Sequence, residues 1–148
     1  MGRIRIVRGN LLDAKGMIVH GCNAQGVMGS GVAKAIRAKW PGAYAVYRAA
    51  YEKAGLCLGT VTTWRDDDVT VVNGITQEFY GRDGRVYVDY DAVGAVFKTV
   101  AEMQRISRQD VNFPLIGCGL GGGDWTKVAK IIENTQHPST NLYLWVQE

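Results

Sequence analysis

Residues 17–33 read MIVHGCNAQGVMGSGVA, and residues 111–125 read VNFPLIGCGLGGGDW. The two stretches share one layout, because in each an apolar run predicted as a strand leads into a glycine-rich loop and then a predicted helix. The first loop covers residues 21–31 and the second covers residues 117–123. Glycine lets the backbone approach a ligand closely, and a helix N-terminus adds positive dipole character. Two such loops in one small chain therefore predict a site for a diphosphate, or for a phosphate joined to a sugar.

Outside these stretches, predicted strands alternate with predicted helices. The sequence predicts strands over residues 3–8, 17–20, 60–64, 69–75, 111–116 and 142–146. It predicts helices over residues 31–40 after an N-cap at Ser30, 43–54 opened by Pro41, from Asp89 or Asp91 to 105, and from Asp124 to 134. With one hairpin between residues 60 and 75, this order predicts an α/β fold in three layers, with a mixed central sheet and helices on both faces.

The composition is that of one soluble domain. The chain has 148 residues, of which 47% are hydrophobic and 21% charged. Its net charge of +3 suits an anionic small molecule, and its scattered basic residues do not favour nucleic acid as the main partner. With no apolar run near the ~20 residues of a membrane span, and no signal-peptide core, we expect a cytoplasmic monomer without a membrane partner.

The cysteines and the acidic run give no metal or disulfide signature. Cys22, Cys57 and Cys118 are odd in number and widely spaced, which is typical of free, buried thiols. Three consecutive aspartates, residues 66–68, fit a solvated hairpin turn better than a metal site because no other ligands accompany them. No metal and no cofactor are expected.

Three motifs for nucleotide or phosphate binding are each incomplete in this sequence. Residues 117–122 satisfy GxGxxG, yet no acidic residue follows about twenty positions later, as a dinucleotide-binding unit requires. A Walker A loop fails because Val32 stands where lysine is needed. A cysteine phosphatase loop fails because Asp124, not arginine, follows Cys118 by six positions.

Four blocks together resemble the macro domain family. These are RGNLL at residues 8–12, IVHGCN at 18–23, GVMGSGVA at 26–33 and PLIGCGLGG at 114–122. The closest resemblance is to the small viral and fungal type linked to ADP-ribose 1″-phosphate. The chain is also similar to the terminal ADP-ribose glycohydrolases and to antitoxin macro domains that remove ADP-ribose from DNA. The resemblance implies a single macro domain over residues 1–148 whose ligand is ADP-ribose or ADP-ribose 1″-phosphate.

The resemblance also implies a set of ligand-binding residues. Asn10 stands where the family has an aspartate for the adenine amino group, and Asn23 matches the asparagine that holds the distal ribose. Trp145 falls where the family often has an aromatic residue near adenine, although a strand-end core role is the equal alternative. The implied set is Asn10, Leu11, Cys22, Asn23, Met28, Gly29, Ser30, Gly31, Val32, Ile116, Gly117, Cys118, Gly119, Leu120, Gly121, Gly122 and Trp145.

The sequence departs from the glycohydrolase branch at two positions. Gln77 stands at that branch's lysine position, and Gly121 stands at its aspartate position. Glutamine has no amine for a covalent adduct, and glycine has no base, so this mechanism is not expected. Asp124 could replace the aspartate, although its place at a predicted helix start favours an N-cap role.

His20 is the candidate catalytic residue that remains. The related phosphatases place a histidine there, and a histidine near neutral pKa could act as general acid or base. We therefore predict hydrolysis of the terminal phosphate of ADP-ribose 1″-phosphate, with His20 as acid/base and Asn23 as positioner. The alternative for His20 is a buried, hydrogen-bonded structural role. The alternatives for the protein are a non-catalytic ADP-ribose reader, or an ADP-ribosyl hydrolase that uses a water held by the ligand.

Overall fold

A computed structural model describes residues 2–81, 83–119 and 121–147. Leu120, which was predicted to bind ligand, lies outside the described residues. The strands within these residues are β1 (Arg5–Arg8), β2 (Gly16–Asn23), β3 (Val61–Arg65), β4 (Val69–Gln77), β5 (Val111–Phe113) and β6 (Leu142–Val146). The helices are α1 (Gly31–Lys39), α2 (Pro41–Ala54), α3 (Tyr90–Ser107) and α4 (Trp125–Thr135), and Leu11–Asp13 form a 3₁₀ turn.

The strands form one mixed sheet in the order β1-β6-β5-β2-β4-β3. Strand β3 runs antiparallel to β4, as the predicted hairpin requires, and the other pairings between the described strands are parallel. Strand β2 lies in the interior of the sheet, between β5 and β4. The carboxyl ends of β2, β4, β5 and β6 therefore meet at one edge, where open α/β sheets bind ligands.

Each face of the sheet is covered by a pair of helices. Met17 and Val19 of β2 pack in one core cluster with α3 and α4 residues such as Phe97 and Ile132. Ile18, which points to the opposite face, packs with α1 and the start of α2. This alternation gives the three-layer α/β arrangement that the sequence predicted.

Helix boundaries follow the predicted caps with one difference. The carboxylates of Asp89 and Asp124 accept hydrogen bonds from the N–H groups of Ala92 and Thr126 at the starts of α3 and α4. Pro41 is the first residue of α2, where its missing N–H costs nothing. Ser30 occupies the N-cap position of α1, but its side chain makes no capping hydrogen bond.

Four strands differ in length from the prediction, since β1 is shorter by two residues and β4 longer by two, while β2 and β5 differ more. Strand β2 continues past His20, because Gly21 and Cys22 still pair with β4. A Cβ at Gly21 would lie 2.6 Å from Thr76 Oγ1, so this glycine serves close packing inside a strand and does not begin the loop. Strand β5 ends at Phe113 and does not reach Ile116, because Pro114 has no N–H for the ladder. No described helix is long and apolar enough to cross a membrane.

Candidate functional site

A cavity of about 790 Å³ opens at the carboxyl edge of the sheet, between the two glycine-rich loops. Its volume falls within the range of small-molecule sites. Twelve of the residues predicted to bind or act on a ligand line it. They are His20, Cys22, Asn23, Gly29, Ser30, Gly31, Val32, Ile116, Gly117, Gly119, Gly121 and Trp145.

Five predicted ligand-binding residues lie off the described cavity lining. Asn10 Oδ1 accepts a hydrogen bond from Leu12 N at 3.0 Å and so caps the 3₁₀ turn. The side chains of Leu11 and Met28 are buried in the core. The remaining two, Cys118 and Gly122, belong to the second loop. Contacts of these five with a ligand, through main chain or side chain, stay a prediction.

Hydrogen bonds in and next to the second loop determine which of its residues face the cavity. The N–H of Cys118 donates to the Leu115 carbonyl just before the loop, and the N–H of Gly122 donates to the Gly119 carbonyl within it, at 3.1 Å each. The alternate residues Gly117, Gly119 and Gly121 face the cavity. Internal hydrogen bonding thus holds the loop's shape, while the glycines bring bare backbone to the ligand side.

The first turn of α1 supplies the facing side of the cavity. Gly31, Val32 and Ala33 line it, and the N–H groups of a first helical turn have no acceptor within the helix. Because the Ser30 side chain does not cap them, these N–H groups are available to an anion. The helix dipole favours negative charge at the same point.

Uncharged groups line the cavity. Among the described lining residues there is no aspartate, glutamate, lysine or arginine. Within the same part of the chain, no group of three or more histidine, cysteine or acidic side chains is placed to hold a metal ion. The cavity can therefore bind an anion through backbone N–H groups and amide side chains, but it offers few groups able to transfer a proton.

His20 is buried beneath the cavity and hydrogen-bonded. Its side chain is 1% exposed, and Nε2 lies 2.6 Å from Asn73 Oδ1. Asn73 Nδ2 donates to the Ala43 carbonyl and to Thr62 Oγ1, which leaves Oδ1 as the acceptor for His20. The neutral ring with its proton on Nε2 fits these contacts. Burial lowers the pKa of His20 to about 4, although the hydrogen bond with Asn73 opposes that shift.

These properties favour the structural alternative for His20. A ring that is neutral at pH 7 and uses its Nε2 proton in the core is poorly placed to donate a proton to a leaving group. Nδ1 lies 3.8 Å from Cys22 Sγ, which is a weak contact. The acid/base role of His20 stays a prediction that mutation can test.

Asn23, at the end of β2, has its side chain fixed by the first loop. Oδ1 accepts from Gln25 N at 2.9 Å, and Nδ2 donates to the Val27 carbonyl at 2.8 Å. An asparagine amide has a second N–H. Asn23 can therefore offer one donor to a ligand hydroxyl in the cavity that it lines.

The thiols of Cys22 and Cys118 are poor nucleophile candidates. Burial raises the pKa of the Cys22 thiol. Burial also raises the pKa of the Cys118 thiol, and the charge of Asp124 adds to that rise. Cys118 Sγ donates to the Ile116 carbonyl at 3.2 Å. Both thiols are therefore protonated at neutral pH, whereas a cysteine nucleophile must be a thiolate.

Other lining residues were absent from the predicted set. Tyr80 and Gly81 follow β4, and Leu115 follows β5, while Gln77 pairs with Asn23 across β2 and β4. Tyr80 and Leu115 are 54% and 45% exposed, so they give the cavity an apolar rim. Their positions in the sequence could have identified them, because residues that follow neighbouring parallel strands meet at the same sheet edge.

Comparison with known proteins gives a consistent result. The model of a family described as Macro domain matches residues 19–132. A DNA ADP-ribosyl glycohydrolase of Thermus aquaticus is 27% identical over 98% of this chain and 41% of its own length. An ADP-ribose 1″-phosphate phosphatase of Candida glabrata is 34% identical over 61% of this chain and 56% of its own length. The chain thus spans less than two thirds of these curated relatives.

Solved structures show the same fold. The structure of a macrodomain protein from Streptomyces coelicolor superposes with a TM-score of 0.81. It is 29% identical, and the match covers 98% of this chain and 99% of that one.

Proposed function

Because this chain belongs to the macro domain family, we propose that it binds ADP-ribose in the cavity between its two glycine-rich loops. The observation that carries the proposal is the uncapped first turn of α1, which faces the second loop across the cavity. Backbone N–H groups from two sides can bind a diphosphate without a charged side chain.

Two other lining residues can contact the remaining parts of ADP-ribose. Asn23 has one N–H left for a hydroxyl of the distal ribose. Trp145 lines the cavity from β6, where its ring can contact the adenosine part. Its indole N–H is already donated to Asn112 Oδ1 at 2.8 Å, so the contribution would come from the ring. The cytoplasmic location and the monomeric state stay predictions.

We propose hydrolysis of ADP-ribose 1″-phosphate as the second function of the same cavity. The phosphatase relative from Candida glabrata supports it. The glycohydrolase relative from Thermus aquaticus covers more of the chain, but Gln77 stands on the cavity lining where the lysine of that branch is expected. An uncharged cavity favours a water that is positioned by the ligand's own phosphate over one activated by a protein base.

Calorimetric titration with ADP-ribose tests the binding proposal. Val32→Glu places a carboxylate on the cavity lining at a side chain that is 36% exposed, so the fold is expected to tolerate it. Repulsion of the diphosphate should raise the Kd about tenfold, or about 1.4 kcal/mol. Leu58→Glu is the matched control, because Leu58 is 38% exposed and lies off the described lining. Absence of binding by the wild type, or equal effects of both changes, would contradict the proposal.

Phosphate release from ADP-ribose 1″-phosphate, without added metal, tests the second function. Release by the wild type and by His20→Gln would support a phosphatase in which His20 is structural. Release by the wild type that is lost in a folded His20→Gln would instead establish the acid/base role. Binding without release would leave the protein as a reader, or as a hydrolase of another ADP-ribosyl bond.

A further inference from the structure

Helix α2 fastens the first glycine-rich loop from outside the cavity. Tyr47 of α2 has no exposed surface, and its hydroxyl donates to the Asn23 carbonyl at 2.6 Å. The same oxygen lies 3.0 Å from Asn23 Oδ1. Tyr47 is not part of the described cavity lining, so its hydroxyl can affect a ligand only indirectly, through the loop that follows Asn23.

The Asn23 side-chain amide is held in one orientation by the first loop, and Tyr47 fixes the start of that loop through the Asn23 carbonyl. Oδ1 accepts from Gln25 N at 2.9 Å and from Val27 N at 3.4 Å, and one N–H of Nδ2 donates to the Val27 carbonyl at 2.8 Å. Because Oδ1 has its donors, the amide cannot rotate by half a turn without losing them. The second N–H of Nδ2 is therefore kept in one place for a ligand.

A second attachment lies one residue further along α2. Arg48 Nη1 donates to the Gly26 carbonyl at 3.1 Å, and its guanidinium lies 4.9 Å from the centre of the Tyr51 ring. Gly26 has φ +77°, and a Cβ there would come within 2.7 Å of that ring. The turn at residues 23–27 is thus shaped against α2 at both of its ends.

We propose that Tyr47 is a positioning residue that sets the cavity's preference for ligands with a hydroxylated group beyond the diphosphate. The inference rests on the proposed function, because Asn23 acts on the distal ribose there. It assigns the discrimination between ADP-ribose and ADP to a hydrogen bond outside the cavity. Binding energy is lost when a donor must be ordered at the moment of binding, and Tyr47 orders this donor beforehand.

Tyr47→Phe tests the proposal with Tyr44→Phe as its control. Tyr44 lies on the same helix and is partly buried, and among the described residues its hydroxyl makes no hydrogen bond. Tyr47→Phe should raise the Kd for ADP-ribose about fivefold and change the Kd for ADP by less than about twofold. Tyr44→Phe should leave both constants unchanged. Equal weakening of ADP-ribose and ADP, or no weakening of either, would overturn the assignment.

Hydrogen exchange without ligand separates this inference from the proposed function. The amides of Gln25 and Val27 face Asn23 Oδ1, so Tyr47→Phe should speed their exchange about tenfold, and Tyr44→Phe should not. Arg48→Ala, at a side chain that is 38% exposed, should speed the exchange of Val27 without disturbing the core. If the wild type binds neither ligand, the proposed function fails, while unchanged exchange of Gln25 and Val27 in Tyr47→Phe overturns the positioning role.

Discussion

The pH dependence of folding gives a sharp test of how His20 is used. In the folded chain, burial lowers the pKa of His20 from its ordinary value of 6.5 to about 4. An unfolded chain restores the ordinary pKa, and between these two values the unfolded state therefore binds the extra proton.

The sign and size of the effect follow from proton linkage. Since the folded pKa is the lower one, stability is complete above the unfolded pKa and is lost as the pH falls toward the folded pKa. The whole shift corresponds to about 3 kcal/mol, at about 1.4 kcal/mol for each pH unit. Lowering the pH from about 7.5 to about 5 should remove about 2 kcal/mol of unfolding free energy through His20 alone.

Urea unfolding at a series of pH values measures this loss. His20→Gln keeps an N–H that can donate to Asn73 Oδ1, but it has no proton to gain in this range. The variant should be less stable at neutral pH and should lose about 2 kcal/mol less than the wild type on acidification. The comparison uses the change with pH in each protein, so other titrating groups cancel.

Parallel pH curves for the two proteins would refute the reasoning. They would mean that His20 titrates alike in the folded and unfolded chain, which requires a solvated ring or a charged partner that stabilises its proton. Such a ring would also be compatible with the acid/base role. The same measurement therefore bears on the fold and on the mechanism.

Three further outcomes are expected. Gly117→Ala should lower stability by about 1–3 kcal/mol in urea unfolding and should weaken ADP-ribose binding, because φ is +72° and a Cβ would meet Val88 at 2.5 Å. Trp145→Phe should cost about 1–3 kcal/mol in the same assay, because it leaves the buried Asn112 Oδ1 without its donor. Cys118→Ser should leave the ADP-ribose Kd in calorimetry within about twofold, since the thiol lies off the described cavity lining.

Much of the fold could be predicted because local chemistry and tertiary structure agree. Asp89 and Asp124 are caps in sequence and in structure, Pro41 opens α2, and β6 has the predicted limits. The predicted loop start at Gly21 was wrong because glycine has two uses that a sequence does not separate. Here its missing side chain makes room for Thr76 inside a strand, and pairing with β4 keeps the strand extended.

The candidate site could be predicted where glycines bring the backbone to the ligand. It was less predictable where the direction of a side chain decides whether the residue lines the cavity. Glycines of both loops line the cavity, among them Gly29 and Gly31 in the first and Gly117, Gly119 and Gly121 in the second, as expected from their freedom to approach a ligand. Met28 lies in the first loop, yet its side chain fills the core, and the sequence offers no period from which to infer that. Tyr80 reaches the cavity only because β4 ends beside β2, which is a property of strand order.

The strand order also determines when this protein can finish folding. Strand β1 pairs with β6, and Arg5 lies opposite Tyr143. Because the chain is synthesised from its N-terminus, β1 has no pairing partner until residues 142–146 have been made. Pairings this distant in sequence form late, because the entropy of closing the intervening loop opposes them. Until then the edge of β5 is unprotected, which is the state in which sheets aggregate. Trp145 arrives with the same strand, so the ligand cavity is complete only once the sheet has closed.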